Sequence, residues 1–403
     1  MPDPDLRMIA LPSPALSRRD LLKGSLIAGG MLLTGLDRIC LGHPTQQPEV
    51  PASDSATKLG TIDFTDEVPV PMGRAFGTEL DGRLYTDFSQ ASAEHPITPT
   101  ESFYVRTRAS ELLVSQQLTS IKIDGLLKGP SQIAVSELLD AQKPMGAHLM
   151  ECAGNIRAIH FGLMSVAEWS GVPLSAVLND ARPTSEATRV SISGFDEYRT
   201  TSRSSMPGAS WNFTIDELKS RGAFLATAMN GQPLTKDHGA PVRLIVPGWY
   251  GCASIKWVNQ ITFMGDAAES TSQMLEYANR TLQEGIPQFA RDFRPATIDQ
   301  AAMPIRIEKW KLGERIRYRV VGIVWGGSQP IKKLEIQFNP DEEYVAVDSL
   351  RQNANDPWSF WTHQWTPKKP GAYAIRLRVM EPIVVTRRLD AGFYLRTVHI
   401  TEV

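Results

Sequence analysis

Cysteine is scarce in this sequence, which has three such residues in a chain of 403. Three thiols cannot build a disulfide framework, and no CxxCH motif or clustered CxxC pair is present. Attached c-type haem and iron–sulfur clusters are therefore not expected. No GxGxxG motif and no long βα alternation occur either, which argues against a Rossmann fold. The chemistry has to be sought in other motifs.

The sequence also lacks an excess of charge of one sign. It has 42 basic and 44 acidic residues, a net charge of −2, and ordinary fractions of hydrophobic (42%) and charged (21%) residues. This balance gives no basic field for nucleic acid, so no nucleic-acid partner is expected. The composition is typical of a soluble globular protein, and the length is sufficient for two or three domains.

No apolar run is long enough for a comfortable membrane span. The longest near the N-terminus, "GSLIAGGMLLTGL", is short and glycine-rich, and it follows the charged segment "SRRDLLK". With Arg18 and Arg19 adjacent, residues 1–42 resemble a twin-arginine export signal, although Leu21 stands where such signals usually have Phe. An ordinary signal or an uncleaved anchor is the alternative. We expect a periplasmic protein with no stable membrane span after cleavage, and no lipid anchor at Cys40.

The rest of the chain divides into three parts by its texture. Residues 43–59 are rich in Pro, Ser and Gln and predict a linker. Residues 60–299 mix strand and helix patterns, including "SIKIDG", a capping-box spacing in "TIDELKSRG", a helix "VSELLDA" with Ser136 as N-cap, and a tight turn at Asn230 and Gly231. Residues 300–403 alternate at period two in "RIRYRVVGIVW", "KKLEIQF" and "AYAIRLRV", which predicts a β-sandwich. The fold class is therefore α+β.

The segment "ECAGNIR" places Cys152 after a strand-like stretch and before Gly154 and Asn155. A buried structural cysteine is the plain alternative to a functional one. A cysteine protease or a zinc site needs partner residues that are not evident nearby. A metal with one cysteine ligand requires that other ligands come from elsewhere, and a thiolate that completes the sphere of a metal held by an organic dithiolene meets that need.

A second group of polar residues surrounds the strand-like "VRLIVPG". Asp237, His238, Arg243 and Lys256 lie in "KDHGAPVRLIVPGWYGCASIKW", close to a glycine-rich loop. Cationic side chains around exposed backbone N–H groups suit a phosphate. A solvated surface position is the alternative for any one of them.

Together these motifs resemble the sulfite oxidase family of molybdopterin enzymes. "ECAGNIR" resembles its cysteine motif, "NGQPLTKDHGAPVRLIVPGWYGCASIKW" its cofactor-binding stretch, "ESFYVRTR" its first arginine motif, and "GIVWGGSQPIKKLEIQF" the start of its immunoglobulin-like C-terminal domain. The resemblance covers about residues 76–403 and keeps the order of the motifs. It implies a molybdopterin-binding catalytic domain over 60–299 and an immunoglobulin-like dimerisation domain over 300–403.

The resemblance also implies roles for individual residues. Cys152 matches the thiolate that ligates molybdenum, and Arg106 and Arg157 match arginines near the metal that attract an anionic substrate. Tyr277 stands at the spacing of a tyrosine that faces the metal, with a surface helical Tyr as the alternative. The residues that match those holding the pterin and its phosphate are His238, Arg243, Ser254 and Lys256. Arg106 and Cys152 are also expected to bind the cofactor.

By this resemblance the chain is an oxygen-atom-transfer enzyme that oxidises sulfite to sulfate as part of a homodimer. Because it has no haem motif, electrons are expected to leave to an external carrier such as a cytochrome c. Three departures put the substrate in doubt: Ile156 replaces a basic residue, Thr107 replaces Asn, and the segment 157–169 is short. The alternatives are a reductase of S- or N-oxides, a sulfane dehydrogenase-like subunit, and a non-enzymatic binding module.

Overall fold

The computed structural model of the chain describes residues 56–66, 70–77, 81–108, 118–195, 208–350, 357–381, 384 and 386–403. The predicted signal, 1–42, and most of the predicted linker, 43–59, lie outside these ranges, so both stay predictions. Within the described residues, no helix has the length and apolar character needed to cross a membrane.

Two sheets form the part that precedes residue 300. The first has the order β3-β2-β11-β6-β7, and only its β2–β11 pair is parallel. These strands are β2 (Ser120–Gly125), β3 (Gln132–Ala134), β6 (Arg189–Gly194), β7 (Ser210–Thr214) and β11 (Val258–Met264). The alternation in "SIKIDG" is confirmed, because Ile121 and Ile123 are buried while Lys122 between them is exposed.

The second sheet carries the cysteine segment. Its order is β10-β8-β5-β4, with β9 paired to β8, and all of its pairs are antiparallel. These strands are β4 (Lys143–Glu151), β5 (Met164–Pro173), β8 (Phe224–Met229), β9 (Gln232–Pro233) and β10 (Arg243–Ile245). The turn predicted at Asn230 and Gly231 joins β8 to β9 with positive φ at both residues, 51° and 73°.

The helices are short and lie between strands. Their bounds are Val135–Asp140, Leu174–Asp180, Ile215–Ser220, Ser272–Tyr277 and Arg387–Asp390. The predicted capping box is confirmed, since Thr214 Oγ1 accepts from the Glu217 amide at 3.0 Å. The N-cap predicted at Ser136 is wrong: Ala134 holds that position, and its amide donates to Glu137 Oε2 at 3.2 Å.

The C-terminal region consists of two antiparallel sheets, β1-β12-β13-β17-β16 and β15-β14-β18-β19. The strands are β1 (Thr57–Ile62), β12 (Ala301–Leu312), β13 (Arg315–Trp325), β14 (Leu334–Gln337), β15 (Val345–Ala346), β16 (Ser349–Leu350), β17 (Trp358–Trp365), β18 (Gly371–Val379) and β19 (Arg396–Ile400). Trp365 of the first sheet stacks on Phe338 (4.2 Å between ring centres) and meets Tyr373 edge-on (4.9 Å). The sheets therefore pack face to face. The immunoglobulin-like assignment stays a prediction.

The first described strand belongs to this C-terminal part. β1 pairs with β12, and Phe64 bridges to Val398. Residues 57–62, predicted to end the linker and open the catalytic domain, thus form an edge of the C-terminal sheet. The boundary predicted at residue 300 falls one position before β12. Residues 54–403 form one compact unit, and a single cluster of buried apolar side chains runs through both parts.

Candidate active site

Cys152 follows β4 directly and opens the loop 152–163, which leads into β5. Its amide donates to Leu163 O and its carbonyl accepts from Asn155 N, both at 2.9 Å. Its Sγ accepts from the Gly154 amide at 3.4 Å. The residue is buried, and burial raises the pKa of the thiol while the charge of Arg106 opposes this. The thiol is thus held in place beside a cation.

The thiol faces a half-open cleft of about 810 Å³, open solvent at its mouth included. Seven of the eight residues that the sequence predicts for the site line the cleft: Arg106, Cys152, His238, Arg243, Ser254, Lys256 and Tyr277. The fold thus brings residues separated by up to 171 positions to one place.

Arg157 is the predicted residue that is not among those lining the cleft. It begins a single 3₁₀ turn, Arg157–Ile159, and is half-buried. Its role toward a substrate stays a prediction from its motif.

Two arginines that sequence reasoning missed lie near the thiol. Burial, with the neighbouring charge of Arg106, lowers the pKa of Arg83 to about 10, which leaves this guanidinium charged at neutral pH. A methyl group placed on Gly154 would lie 3.6 Å from Nη1 of Arg280 and 3.7 Å from Sγ of Cys152, so both groups flank the same glycine. The thiol end of the cleft is therefore strongly cationic.

Arg106 is a cation near the thiol that has a free hydrogen-bond donor in the described structure. Its Nη1 is buried and finds no hydrogen-bond partner among the residues that the structure describes. A buried guanidinium nitrogen without a partner carries a substantial desolvation cost, so this position is suited to an anion or an acceptor from a ligand.

Tyr277 stands at the C-terminal end of the helix Ser272–Tyr277 and lines the cleft. Burial is the main cause that raises the pKa of its hydroxyl, followed by the proximity of Cys152. The phenol therefore stays protonated at neutral pH and can donate a hydrogen bond. Cys252 also lines the cleft, and burial raises the pKa of this second thiol well above its usual value.

Arg243 is a buried cation that also lines the cleft. Its Nη1 donates to His238 O at 3.1 Å, and its Nη2 donates to Ser254 O and Met150 Sδ, each at 3.2 Å. Its Nε is buried and has no hydrogen-bond partner in the described part of the chain. Burial lowers the pKa of Arg243 to about 10, so the side chain still carries its charge. Arg243 ties two loops together and keeps one donor for a ligand.

His238 is neutral in this setting. Desolvation, with the charges of Arg243 and Lys256, lowers its pKa to about 4. Its Nε2 lies 3.2 Å from the carbonyl oxygen of Thr100, so Nε2 carries the proton and Nδ1 is left as an acceptor. Gly239 follows with φ 102°, which only glycine adopts readily, and turns the chain back toward the cleft.

Lys256 links the segment that carries Arg106 to the segment that carries His238. Its Nζ donates to Thr107 O and to Asp237 O, the latter at 2.9 Å, and lies 4.3 Å from the ring centre of Trp257. Ser254 Oγ accepts from Val246 N at 3.3 Å, and its hydroxyl hydrogen can therefore point elsewhere.

These residues fit a metal cofactor with an anionic tail. Buried, unpartnered nitrogens of Arg106 and Arg243 and the positive charge of Lys256 suit a phosphate, and the Cys152 thiol suits a soft metal. Within the described ranges, no group of three or more His, Cys, Asp or Glu side chains could hold a metal ion. A metal at Cys152 therefore needs further ligands from an organic group.

Comparisons with known proteins agree with this chemistry. The family described as "Oxidoreductase molybdopterin binding domain" matches residues 112–272. Mitochondrial sulfite oxidase of Macaca fascicularis is 26% identical over 372 residues, which cover 87% of this chain and 64% of that protein. Nitrate reductase [NADPH] of Beauveria bassiana is 31% identical over 255 residues, which cover 55% of this chain and 27% of that protein.

The fold is also found in a solved structure. The sulfane dehydrogenase SoxCD from Paracoccus pantotrophus has a chain that matches with a TM-score of 0.60 at 18% identity, covering 80% of this chain and 82% of that one. At this identity the match shows the shared fold. The chain spans less than two thirds of the length of the curated relatives given above.

Proposed function

Because the chain belongs to the sulfite oxidase family of molybdopterin-dependent oxidoreductases, we propose that it oxidises sulfite to sulfate by oxygen-atom transfer. The observation that carries this proposal is the placement in one cleft of the Cys152 thiol and of Arg106, whose buried Nη1 has no hydrogen-bond partner among the described residues. A metal-binding thiolate and a buried cation at one end of a cavity suit the oxidation of a small anion.

The residues that line the cleft divide into two groups by their proposed roles. Cys152 would ligate molybdenum, while Arg243, His238, Ser254 and Lys256 would hold the pterin and its phosphate. When bound, the cofactor supplies the two-electron redox change that oxygen-atom transfer requires. The protein's part is to bind the substrate, to orient it and to keep protons where they are needed.

Substrate binding falls to the cations around the thiol. Sulfite is a small anion with oxygens on one side and a lone pair on sulfur, and guanidinium groups suit such an array of oxygens. Arg106 is the central donor because its Nη1 is buried and unpartnered in the described structure. Two further arginines add to the positive electrostatic potential near the thiol: Arg83, which is buried, and Arg280, which is exposed. Together they would bind the substrate oxygens and leave the sulfur lone pair unobstructed for the oxidation that the bound cofactor would supply.

Tyr277 adds a neutral donor to this set. Because its pKa is raised, the hydroxyl keeps its proton at neutral pH and can bond to a substrate oxygen. It contributes no charge that would repel the anion.

The full reaction needs components beyond this cleft. One water supplies the oxygen, and two protons and two electrons are released for each sulfite that becomes sulfate. We propose that an external carrier such as a cytochrome c takes the electrons. We also propose a twin-arginine-exported, periplasmic protein that forms a homodimer through an immunoglobulin-like C-terminal domain, in line with the sequence motifs.

A sulfane dehydrogenase-like activity is the second candidate. It is supported by the shared fold with a chain of a sulfane dehydrogenase structure, which matches 80% of this chain. The departures at Ile156 and Thr107 change groups next to the predicted arginines and fit a substrate other than free sulfite.

A steady-state panel on the molybdenum-loaded enzyme tests these proposals. Sulfite oxidation and oxidation of a thiol-bound sulfane sulfur are measured with ferricyanide and with a cytochrome c as acceptors. Reduction of nitrate, methionine sulfoxide, dimethyl sulfoxide and trimethylamine N-oxide is measured with a reduced dye. The Cys152→Ser protein serves as the inactive control for every substrate.

We expect sulfite to give the highest kcat/KM. Turnover of the sulfane substrate without turnover of sulfite would favour the second candidate. Reduction of an oxide or of nitrate without either oxidation would overturn both and support a reductase.

A further inference from the structure

A buried carboxylate stands directly before the thiol. Glu151 is the last residue of β4, and its side chain is almost completely inaccessible to solvent. A strand points successive side chains to opposite faces, so Glu151 points away from the cleft that Cys152 faces. The carboxylate therefore lies behind the cysteine loop.

Three residues of the C-terminal region bind this carboxylate. Trp325 Nε1 donates to Oε2 at 2.9 Å, Arg388 Nη1 donates to Oε1 at 3.0 Å, and the hydroxyl of Tyr394 donates to Oε1 at 3.3 Å. Arg388 Nη1 also donates to the Tyr394 hydroxyl oxygen at 2.9 Å. The C-terminal region thus meets the last residue before the thiol with one cation and two neutral donors.

The same carboxylate also takes part in hydrogen bonds that join the two ends of the loop 152–163. Asn155 Nδ2 donates to Glu151 Oε1 at 3.3 Å, and Asn155 Oδ1 accepts from the amide of Leu163 at 3.1 Å. Leu163 O in turn accepts from the amide of Cys152. The two ends of the loop 152–163 are therefore joined through Glu151 and Asn155.

The far end of the loop is held by aromatic contacts from Tyr394 and its neighbour Phe393. Phe161 is fully buried, and its ring centre lies 4.5 Å from that of Tyr394 and 5.5 Å from that of Phe393. The backbone of His160 and Phe161 has positive φ, 51° and 57°, which is unfavourable for residues with a side chain. The loop is held in a strained shape by groups outside it.

We propose that Glu151 is a positioning residue for Cys152, and that the C-terminal region, through Trp325, Arg388 and Tyr394, fixes the direction in which the thiol enters the cleft. This inference rests on the proposed function in one respect, since it assumes that Cys152 serves the cofactor. It gives the C-terminal region a task in the active site in addition to any part in assembly.

Physical chemistry makes this connection sensitive to single changes. A buried ion pair that loses one partner leaves an uncompensated charge and is strongly destabilising. In Glu151→Gln that charge is the guanidinium of Arg388, and the end of β4 loses its charged link to the C-terminal region. The segment that carries the thiol is then held less firmly in place. The strained turn at His160 and Phe161 would assist local opening, because release of the loop also releases the strain.

The test measures how accessible the thiol is in cofactor-free protein. Wild type, Glu151→Gln and Trp325→Phe are treated with iodoacetamide, and labelling of Cys152 and of Cys252 is followed separately by peptide mass spectrometry. We expect Cys152 to react about tenfold faster in Glu151→Gln, which removes the charged acceptor, and a few-fold faster in Trp325→Phe, which removes one donor to it, because fewer hydrogen bonds oppose local opening. Cys252 in the same cleft serves as the internal reference and should change by less than about twofold.

A matched control comes from Glu308, another buried carboxylate paired with arginines. Its partners are Arg306, Arg319 and Lys58, and none of them belongs to the loop 152–163. Glu308→Gln should leave the labelling of Cys152 unchanged even where it lowers the melting temperature. Equal acceleration at Cys152 and Cys252, or in Glu308→Gln, would indicate general loosening and overturn the proposal.

A second readout is the molybdenum and pterin content of each variant after expression with the cofactor. We expect a loss of several-fold in Glu151→Gln and a content near wild type in Glu308→Gln. Wild-type labelling together with wild-type cofactor content in Glu151→Gln would overturn the proposal. If Glu151→Gln does not fold, the labelling rates of Trp325→Phe, which keeps the ion pair, test the proposal by themselves. None of these readouts uses a substrate, so a failed substrate panel leaves this inference standing.

Discussion

The guanidinium of Arg280 lies 5.4 Å from the ring centre of Tyr277, one helical turn along the chain. The ring lines the cleft, and the cation lies over its face and beside Gly154 of the cysteine loop. Arg280 itself is exposed, so the contact holds a solvated charge at the mouth of the site. This arrangement suits a residue that draws an anion in from solution.

Arg280→Gln should therefore weaken binding more than turnover. We expect the KM for sulfite to rise about three- to tenfold at low ionic strength, with kcat nearly unchanged, because an exposed charge is screened and contributes modestly. The effect should shrink as salt is added. Steady-state kinetics at two ionic strengths measures both, and a fall in kcat without a change in KM would contradict it.

Arg106→Gln should be far more damaging. Removal of a buried donor next to the reacting group should lower kcat/KM by roughly 30- to 1000-fold, or about 2–4 kcal/mol. Arg157→Gln is the matched comparison, because Arg157 does not line the cleft and should lose at most about fivefold. Equal losses in the two variants would show that Arg157 also reaches the substrate.

Cys152→Ser should abolish turnover and retain most of the fold. Serine places a harder oxygen where a soft thiolate is needed, so molybdenum content should fall as well. Metal analysis, activity and the melting temperature are measured on the same preparations. Cys252→Ser is the control in the same cleft, and full activity of Cys152→Ser would show that the thiol is structural.

The stability of the cofactor-free protein should fall in acid because of His238. Its pKa is lowered from 6.5 to about 4, so the unfolded chain takes up this proton at a higher pH than the folded one. Stability is then fully present above pH 6.5 and is lost as the pH falls toward 4, by about 3 kcal/mol in total. Urea unfolding between these pH values should show a smaller decline in His238→Gln, whose amide can still donate to Thr100. Identical slopes would contradict the argument.

Replacing Arg18 and Arg19 together by Lys should keep the protein in the cytoplasm. Lysine preserves the charge but lacks the guanidinium group. The resemblance to a twin-arginine signal rests on these two arginines. Cell fractionation with an activity-independent antibody measures the distribution. Unchanged export of the double variant would indicate another route.

The sequence allowed much of the site to be predicted because its residues lie in compact motifs. Cys152, Arg243 and Lys256 stand in segments whose order and composition identify them, and the structure brings them to one cleft. Arg83 and Arg280 were missed because neither belongs to a motif. Arg280 follows Tyr277 by one turn, a spacing that could have suggested it.

Other features depend on contacts that no local pattern reveals. The carboxylate of Glu151 meets partners 174, 237 and 243 positions away, so its role could be seen only in the folded chain. The alternation in β13 predicted its outer half correctly, since Tyr318 and Val320 are buried. It failed toward Trp325, where every residue from Val320 onward is buried and the period of two disappears.

The pairing of β1 with the C-terminal sheet has a consequence for the order of events during synthesis. β1 lies against β12, and the amide of Thr65 bonds to the carbonyl of Thr397 in the last strand. A chain made from its N-terminus cannot place these residues until nearly all of it has emerged, and such distant contacts form slowly. A chain that stops before residue 396 therefore leaves its early segment loose. Completion of the strand Arg396–Ile400 is thus a condition for the segment around Thr65 to take its final place.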